Sequence, residues 1–329
     1  MSERVYPMTF APVLKDYIWG GRRLEQLGRL LPPGNIAESW EIAAHEDGVT
    51  AVTNGRYAGK LLTEVQAELG LDLIGTNCAW AQARGKFPLL VKLLDANRAL
   101  SVQVHPDDAY ALAHEGNELG KTEMWVVLDA KPGAQVQLGV KAGTTPELFR
   151  QGIEEGNLEP YLHYVPVKPG DHICVPAGTL HAIMDGILIA EIQQNSNTTY
   201  RVYDWNRVGA DGKARPLHID KALDVINFDQ VEPFLCPAEM AELNGLSRSL
   251  LCANQYFVTE RVEMAAGAVF AGNCNGRSLE IWGVLSGEVV VNGVGLTAVQ
   301  FVLLPAAMGK FMLTTTHPST LLRTYVEVS

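Results

Sequence analysis

The chain is poor in cysteine, lacks any long apolar run and carries too little positive charge for several kinds of work. Its five cysteines, Cys78, Cys174, Cys236, Cys252 and Cys274, are scattered, odd in number and without a Cys-x-x-Cys pair. That argues against a disulfide framework and for thiols that are mostly reduced and partly buried. No uninterrupted apolar segment is long enough to cross a bilayer, and the first ten residues show no signal-peptide pattern, so a cytoplasmic protein without membrane attachment is expected. Lys and Arg number 26 against 37 Asp and Glu, a formal charge of −11, which argues against a general nucleic-acid binder. An anionic ligand would need a local cluster of cations. The pair Gly20-Gly21 sits outside any GxxxxGK[ST] or GxGxxG context, so it is not a phosphate loop. No heptad or broad amphipathic stripe demands a partner, which leaves monomer or homodimer.

What the chain does have is strands. Short β-branched runs separated by Gly, Pro and Asp turns favour antiparallel barrels or sandwiches over a parallel sheet, giving a mainly β protein with a few helices. At 329 residues it exceeds one typical domain, and the expected division is residues 1–245 and 246–329. Helical patterns cover residues 62–73, residues 144–155, which open with Thr-Thr-Pro-Glu, and residues 219–226. A polar, proline-containing stretch at 229–245 reads as a connector. Beyond residue 250 the chain returns to turn-bounded strands, GVLSGEVVVNG and AVQFVLLPAA.

The most informative stretch is residues 170–181, GDHICVPAGTLH. Gly170 permits a tight turn, Pro176 and Gly178 shape the next one, and His181 points inward from the following strand. The pattern resembles the second motif of the cupin barrels, so a jelly-roll barrel is expected. Upstream, SVQVHP reads as a strand in which Ser101, Gln103 and His105 share one face while Val102 and Val104 share the other. In KTEMW the same parity puts Lys121 and Glu123 together. Glu123 is costly inside a barrel unless a cation or donor compensates it. His105, Glu123 and His181 form a two-histidine, one-carboxylate set suited to zinc or another divalent first-row metal, with Gln103 as a candidate fourth donor. Three protein ligands leave room for water or substrate. The tail from about residue 250 resembles a second, degenerate barrel whose hairpin has Pro305 but no histidine, and it is expected to be metal-free.

SVQVHPDD, GKTEMW, the 170–181 hairpin and EIQQNSNTTYRVYDWNR occur in the order and spacing of type I phosphomannose isomerases in their short bacterial form. WGGRRL, AESWEIAAH and RPLHIDKAL resemble the same family, and the likeness spans nearly the whole chain. The resemblance implies a zinc-dependent aldose-ketose isomerase, one ion per chain, that interconverts mannose 6-phosphate and fructose 6-phosphate. By that resemblance Arg201 matches the active-site arginine, Ser101 and Lys92 face the phosphate, and Lys121 lies beside the reacting carbons.

The residues themselves fit an isomerase. Proton exchange between C1 and C2 through an enediolate needs a base, an acid and a positive field. Arg201, just beyond the strand that holds Glu191, can hold the oxyanion. Glu191 stands in an otherwise apolar strand and reads as a site carboxylate, and Lys92 in PLLVKLLDA needs an anionic partner. His172 and His114 are read as non-ligands, His45 and His218 as hydrogen-bonded supports, His317 as structural or surface, and Trp19, Trp40 and Trp125 as wall aromatics. An iron-dependent oxygenase or a non-catalytic sugar sensor of the same barrel type is the competing reading. An oxygenase does not predict a cluster of cations at the site or an arginine after EIQQNSNTTY, and a sensor is expected to carry a DNA-binding or interaction domain, for which the sequence shows no helix-turn-helix segment or basic tail.

Overall fold

The computed structural model describes residues 5–208, 212–243 and 245–327. It divides into two compact units, neither continuous in sequence: one comprises Leu14–Ser39 and Leu93–Cys236, the other Met1–Val13, Trp40–Lys92 and Pro237–Ser329. The cut expected after residue 245 does not coincide with this division. Residue 245 lies in the turn between the paired strands Met240–Leu243 and Leu246–Ala253.

Two sheets are built mainly of the first unit's strands. A five-stranded sheet runs in the order Leu162–Pro166, Gln135–Val140, His181–Ile183, Val102–Val104, Tyr200–Tyr203. A six-stranded sheet runs His172–Val175, Glu123–Ala130, Ile187–Gln194, Leu89–Ala96, Glu38–Ile42, Val13–Lys15. Trp125, Val127, Ile173 and Ile189 from the second sheet pack with Val136, Leu138 and Ile183 from the first in one buried cluster. The period of two along each strand therefore puts alternate residues between the sheets. Val102, Val104, Ala182 and Tyr200 point the other way, into a cluster with Phe149 and Ala222, which belong to the helices Pro146–Glu154 and Ile219–Val225.

The closed barrel expected from the hairpin pattern is not formed: among the described residues both sheets end at open edges. The two layers meet through side chains rather than through a shared ladder, which makes a cupin-type sandwich. The second unit has the same construction. A six-stranded sheet, with Glu280–Ser286 between Ser319–Tyr325 and Phe301–Leu304, faces a four-stranded sheet of Val269–Cys274, Gly309–Thr314, Glu288–Val291 and Val294–Thr297. Trp282, Val302, Phe311 and Leu313 fill the space between them.

The helix expected over 62–73 breaks at Gly70, whose φ of +52° ends Leu62–Leu69 before Leu71–Ile74 begins. Thr145 caps the helix Pro146–Glu154, its hydroxyl accepting from the Leu148 amide at 3.3 Å. Cys78, Cys236 and Cys274 are free thiols. Cys174 and Cys252 are each in disulfide form, so the reduced state expected for the thiols holds for three of the five.

A buried His-Glu-His metal centre

His105, Glu123 and His181 come together at one end of the first sandwich, each no more than 1% exposed, with one potential ligand atom from each lying within 4.8 Å of the others. The imidazole rings are 4.8 Å apart between centroids. His105 Nε2 is 3.2 Å from Glu123 Oε1 and His181 Nε2 is 3.7 Å from Glu123 Oε2. The parity argument explains the convergence: His105 continues the alternation one residue past Val102–Val104, and Glu123 and His181 open the strands Glu123–Ala130 and His181–Ile183.

Main-chain atoms aim the rings. His105 Nδ1–H donates to the Thr198 carbonyl at 2.8 Å and His181 Nδ1–H to the Thr179 carbonyl at 2.9 Å. Each bond selects the tautomer that leaves Nε2 with its lone pair facing the carboxylate. The hairpin turn is tied down at the same point. Gly178, with φ of +85°, donates its amide to the His105 carbonyl at 2.9 Å.

Electrostatics keep the set ready for a cation. Burial pushes the His105 imidazole down to about 3, with Lys121 acting in the same direction against Glu123. Burial likewise lowers His181. Burial alone would raise Glu123, but Lys121 and the two histidines outweigh it and hold the carboxyl well below its usual range. Glu123 Oε1 is buried and accepts no well-formed hydrogen bond, its neighbours being the Lys121 ammonium in ion-pair contact and the neutral His105 ring. Two neutral imidazoles and an ionised carboxylate, all turned inward, fit a divalent metal ion.

The other expected residues fall as follows. Lys121 Nζ lies 3.1 Å from His105 Nε2. Gln103 turns its amide nitrogen to His181 Nε2 at 3.4 Å and accepts from the Ser101 hydroxyl at 3.3 Å; a half-turn of the amide would present its oxygen instead. Arg201 stands opposite Gln103 in the ladder and donates Nε–H to Ser101 Oγ and Nη1–H to the Pro216 carbonyl, both at 3.1 Å. Its amide is held by His218 Nδ1 at 3.3 Å, the supporting role expected of that histidine. Glu191 is 3% exposed and accepts from Trp125 Nε1–H at 2.9 Å. Lys92 is buried with its ammonium 5.0 Å over the Trp40 ring.

Two features were not anticipated. Trp125 is more than a wall aromatic, because its single indole N–H reaches Glu123 Oε2 at 3.2 Å as well as Glu191. Near Arg201, the one carboxylate of Asp204 receives both Arg215 and Arg207, at 2.7 and 2.5 Å. Burial and then Arg215 lower the Arg201 value, with Asp204 opposing. Among the described residues, the three guanidinium groups of Arg201, Arg207 and Arg215 against the Asp204 carboxylate make a local cluster of cations of the kind an overall acidic chain would need for an anionic ligand.

This fold and this cluster define a cupin-type sandwich with a buried cluster that could hold a metal ion. The family model described as phosphomannose isomerase type I, catalytic domain, matches residues 8–127. The chain is 40% identical over 312 residues to the probable mannose-6-phosphate isomerase GmuF of Bacillus subtilis, covering 93% of this chain and 95% of that protein. It is 43% identical over 260 residues, 79% of each chain, to a mannose-6-phosphate isomerase of Streptococcus mutans. A crystal structure of the mannose 6-phosphate isomerase from B. subtilis superposes with a TM-score of 0.86 over 99% of this chain and 100% of that one, at 33% identity. The chain belongs to the type I phosphomannose isomerases.

Proposed function

We propose that this enzyme interconverts mannose 6-phosphate and fructose 6-phosphate by moving a proton between C1 and C2 of the opened sugar through an enediolate. The observation that carries the reading is the buried His105, Glu123, His181 cluster with Lys121 and Arg201 at the same end of the sandwich. His105, Glu123 and His181, with Gln103 beside them, would hold one zinc ion, which would supply Lewis-acid polarisation of the sugar oxygens.

The remaining roles belong to the protein's own groups. Lys121 and Glu191 flank the ligand carboxylate, one by direct ion pair and the other through the Trp125 N–H, and are the groups assigned to proton transfer. Arg201 faces the developing oxyanion and excludes water. Ser101 is its hydrogen-bond partner on the phosphate side, with the surplus of positive charge at Arg207 and Arg215 drawing the anion in. Lys92 is assigned to the phosphate from the family resemblance. The enzyme acts in the cytoplasm as a monomer or homodimer.

Metal analysis of purified protein, coupled to an assay for mannose 6-phosphate conversion with and without a chelator, tests the assignment. About one zinc per chain and activity abolished by the chelator are expected. Arg201→Ala should keep the metal and lose about 100-fold or more in kcat/KM. Full activity after complete metal removal, or an Arg201→Ala enzyme with ordinary turnover, would overturn the scheme.

A further inference from the structure

The second sandwich repeats the first residue for residue around its inner strand. Glu123 pairs with Val175 and Gln193, and Trp125 with Ile173 and Glu191. Glu280 pairs with Leu304 and Tyr325, and Trp282 with Val302 and Arg323. Val175 and Leu304 are each followed by proline. In the facing sheets Gln103 is opposite His181 and Gly272 is opposite Phe311. Phe311 thus stands in the place of His181, Gly272 in that of Gln103, Cys274 in that of His105 and Arg323 in that of Glu191. The rings agree: Trp125 meets His181 edge-on at 5.3 Å and Trp282 meets Phe311 edge-on at 6.2 Å.

A cavity of about 200 Å³ lies against Glu280, Arg323 and Tyr325, the counterparts of Glu123, Glu191 and Gln193, and is lined also by Asn77, Asn273, Asn275 and Arg277. Asn273 and Asn275 flank Cys274, the counterpart of His105, and Tyr325 is the counterpart of Gln193. We propose that this cavity is a metal-free binding site for a neutral monosaccharide or sugar alcohol.

Three observations select that class. The volume lies below the usual range for drug-sized ligands and suits a molecule of about hexose size. Arg277 and Arg323 are balanced by Glu280 and Glu327 on the same wall, so the cavity carries no surplus charge for an anion. Three asparagines and a tyrosine offer donors and acceptors together, which vicinal hydroxyls need. The wall is also preformed. Asn77 donates Nδ2–H to the Val326 carbonyl at 2.8 Å, its amide donates to the Arg277 carbonyl at 2.8 Å, and Asn275 Oδ1 accepts from the Arg277 amide at 3.3 Å. Arg323 is fixed by two bonds to Glu280, at 2.9 and 2.6 Å, and one to Glu260 at 3.3 Å.

Saturation-transfer NMR on the full-length enzyme, with D-mannose, D-glucose and D-mannitol presented separately, tests the site. At least one compound should bind wild type and His181→Ala alike. The exposed pair Asn273→Ala/Arg277→Ala should weaken that binding about 10-fold or more while leaving isomerase kcat/KM within about two-fold. Binding lost in His181→Ala and kept in the double variant would place the sugar in the metal site and overturn the proposal. So would failure of all three compounds to bind wild type, or binding of inorganic phosphate that Arg277→Ala abolishes.

Discussion

The strands Glu123–Ala130 and Glu280–Ser286 open with the same Glu-x-Trp pattern, and in both the indole N–H donates to the carboxylate two residues earlier, at 3.2 and 2.9 Å. The surroundings differ. Glu123 faces two neutral imidazoles and an ammonium. Glu280 faces the fork of Arg323, and a phenyl ring from Phe311 fills the room that Gln103 and an imidazole share in the first sandwich. A Cβ on Gly272 would lie 2.1 Å from that ring. The difference teaches how a buried carboxylate is kept. It needs a positive partner, and that partner can be an exchangeable ion held by lone pairs or a guanidinium built into the chain. A guanidinium has no lone pair to offer and no open position. The first solution can do chemistry and the second holds a fold together.

The comparison breaks most visibly at the facing ring. His181→Ala should lose bound metal together with about 1000-fold or more of kcat/KM. Phe311→Ala should keep metal and turnover and instead cost about 3–5 kcal/mol of stability, read from urea denaturation. Loss of metal in the phenylalanine variant alone would undo the equivalence of the two positions.

Next in size is the built-in cation. The side chains of Arg323 and Glu280 are 16% and 6% exposed, so Arg323→Ala should destabilise by about 3–5 kcal/mol by leaving Glu280 and Glu260 uncompensated. Lysine at this position should restore only part of that, because it cannot make the fork. An unchanged denaturation midpoint in Arg323→Ala would show that the guanidinium does not stand in for an ion.

The tryptophans sharpen the contrast further. Trp125→Phe should weaken metal binding about 10- to 100-fold, as measured by competition with a chromophoric chelator. Trp282→Phe should cost only about 1 kcal/mol of stability, with metal content unchanged. Equal effects of the two on metal affinity would erase the distinction.

The smallest effect is on pH dependence. His105 and His181 are lowered in the folded protein, so below pH 6.5 the unfolded chain binds protons that the folded chain refuses. Stability of chelator-treated protein should therefore fall on acidification from 6.5, by about 1 kcal/mol per histidine over the first unit. The lowered Glu123 adds a loss of its own as pH drops below 4.5. A flat denaturation midpoint between pH 7.5 and 5.5 would contradict the neutral imidazoles. In the second sandwich the matching positions hold Phe311 and Cys274, and no imidazole stands there.

The grouping of His105, Glu123 and His181 was readable from sequence because parity is strict: once residues 101–105 and 121–125 are read as extended, polar side chains two apart share a face, and only the interior explains Glu123. The resemblance carried the rest of the isomerase reading. Other features had no such signal. The Trp125 N–H could not be read as a bridge, since an inward tryptophan in a strand looks like core. The Thr179 and Thr198 carbonyls carry no side-chain signature at all. The barrel was expected closed because hairpin motifs specify neighbouring strands and say nothing about whether the last strand meets the first. The helix over 62–73 read as continuous because its apolar spacing runs through Gly70, where the backbone leaves the helix. The discontinuous units were hidden for the same kind of reason, as residues 40–92 join the later strands through contacts that no local pattern encodes.

Both ligand imidazoles take their direction from carbonyl oxygens of the backbone, not from acidic or amide side chains. Every amino acid carries that oxygen, so replacing either threonine leaves the anchor in place, and genetic drift can blunt the centre's aim only by rerouting the chain itself. Tolerance in the loops that cradle the histidines is therefore compatible with an unforgiving geometry at the histidines.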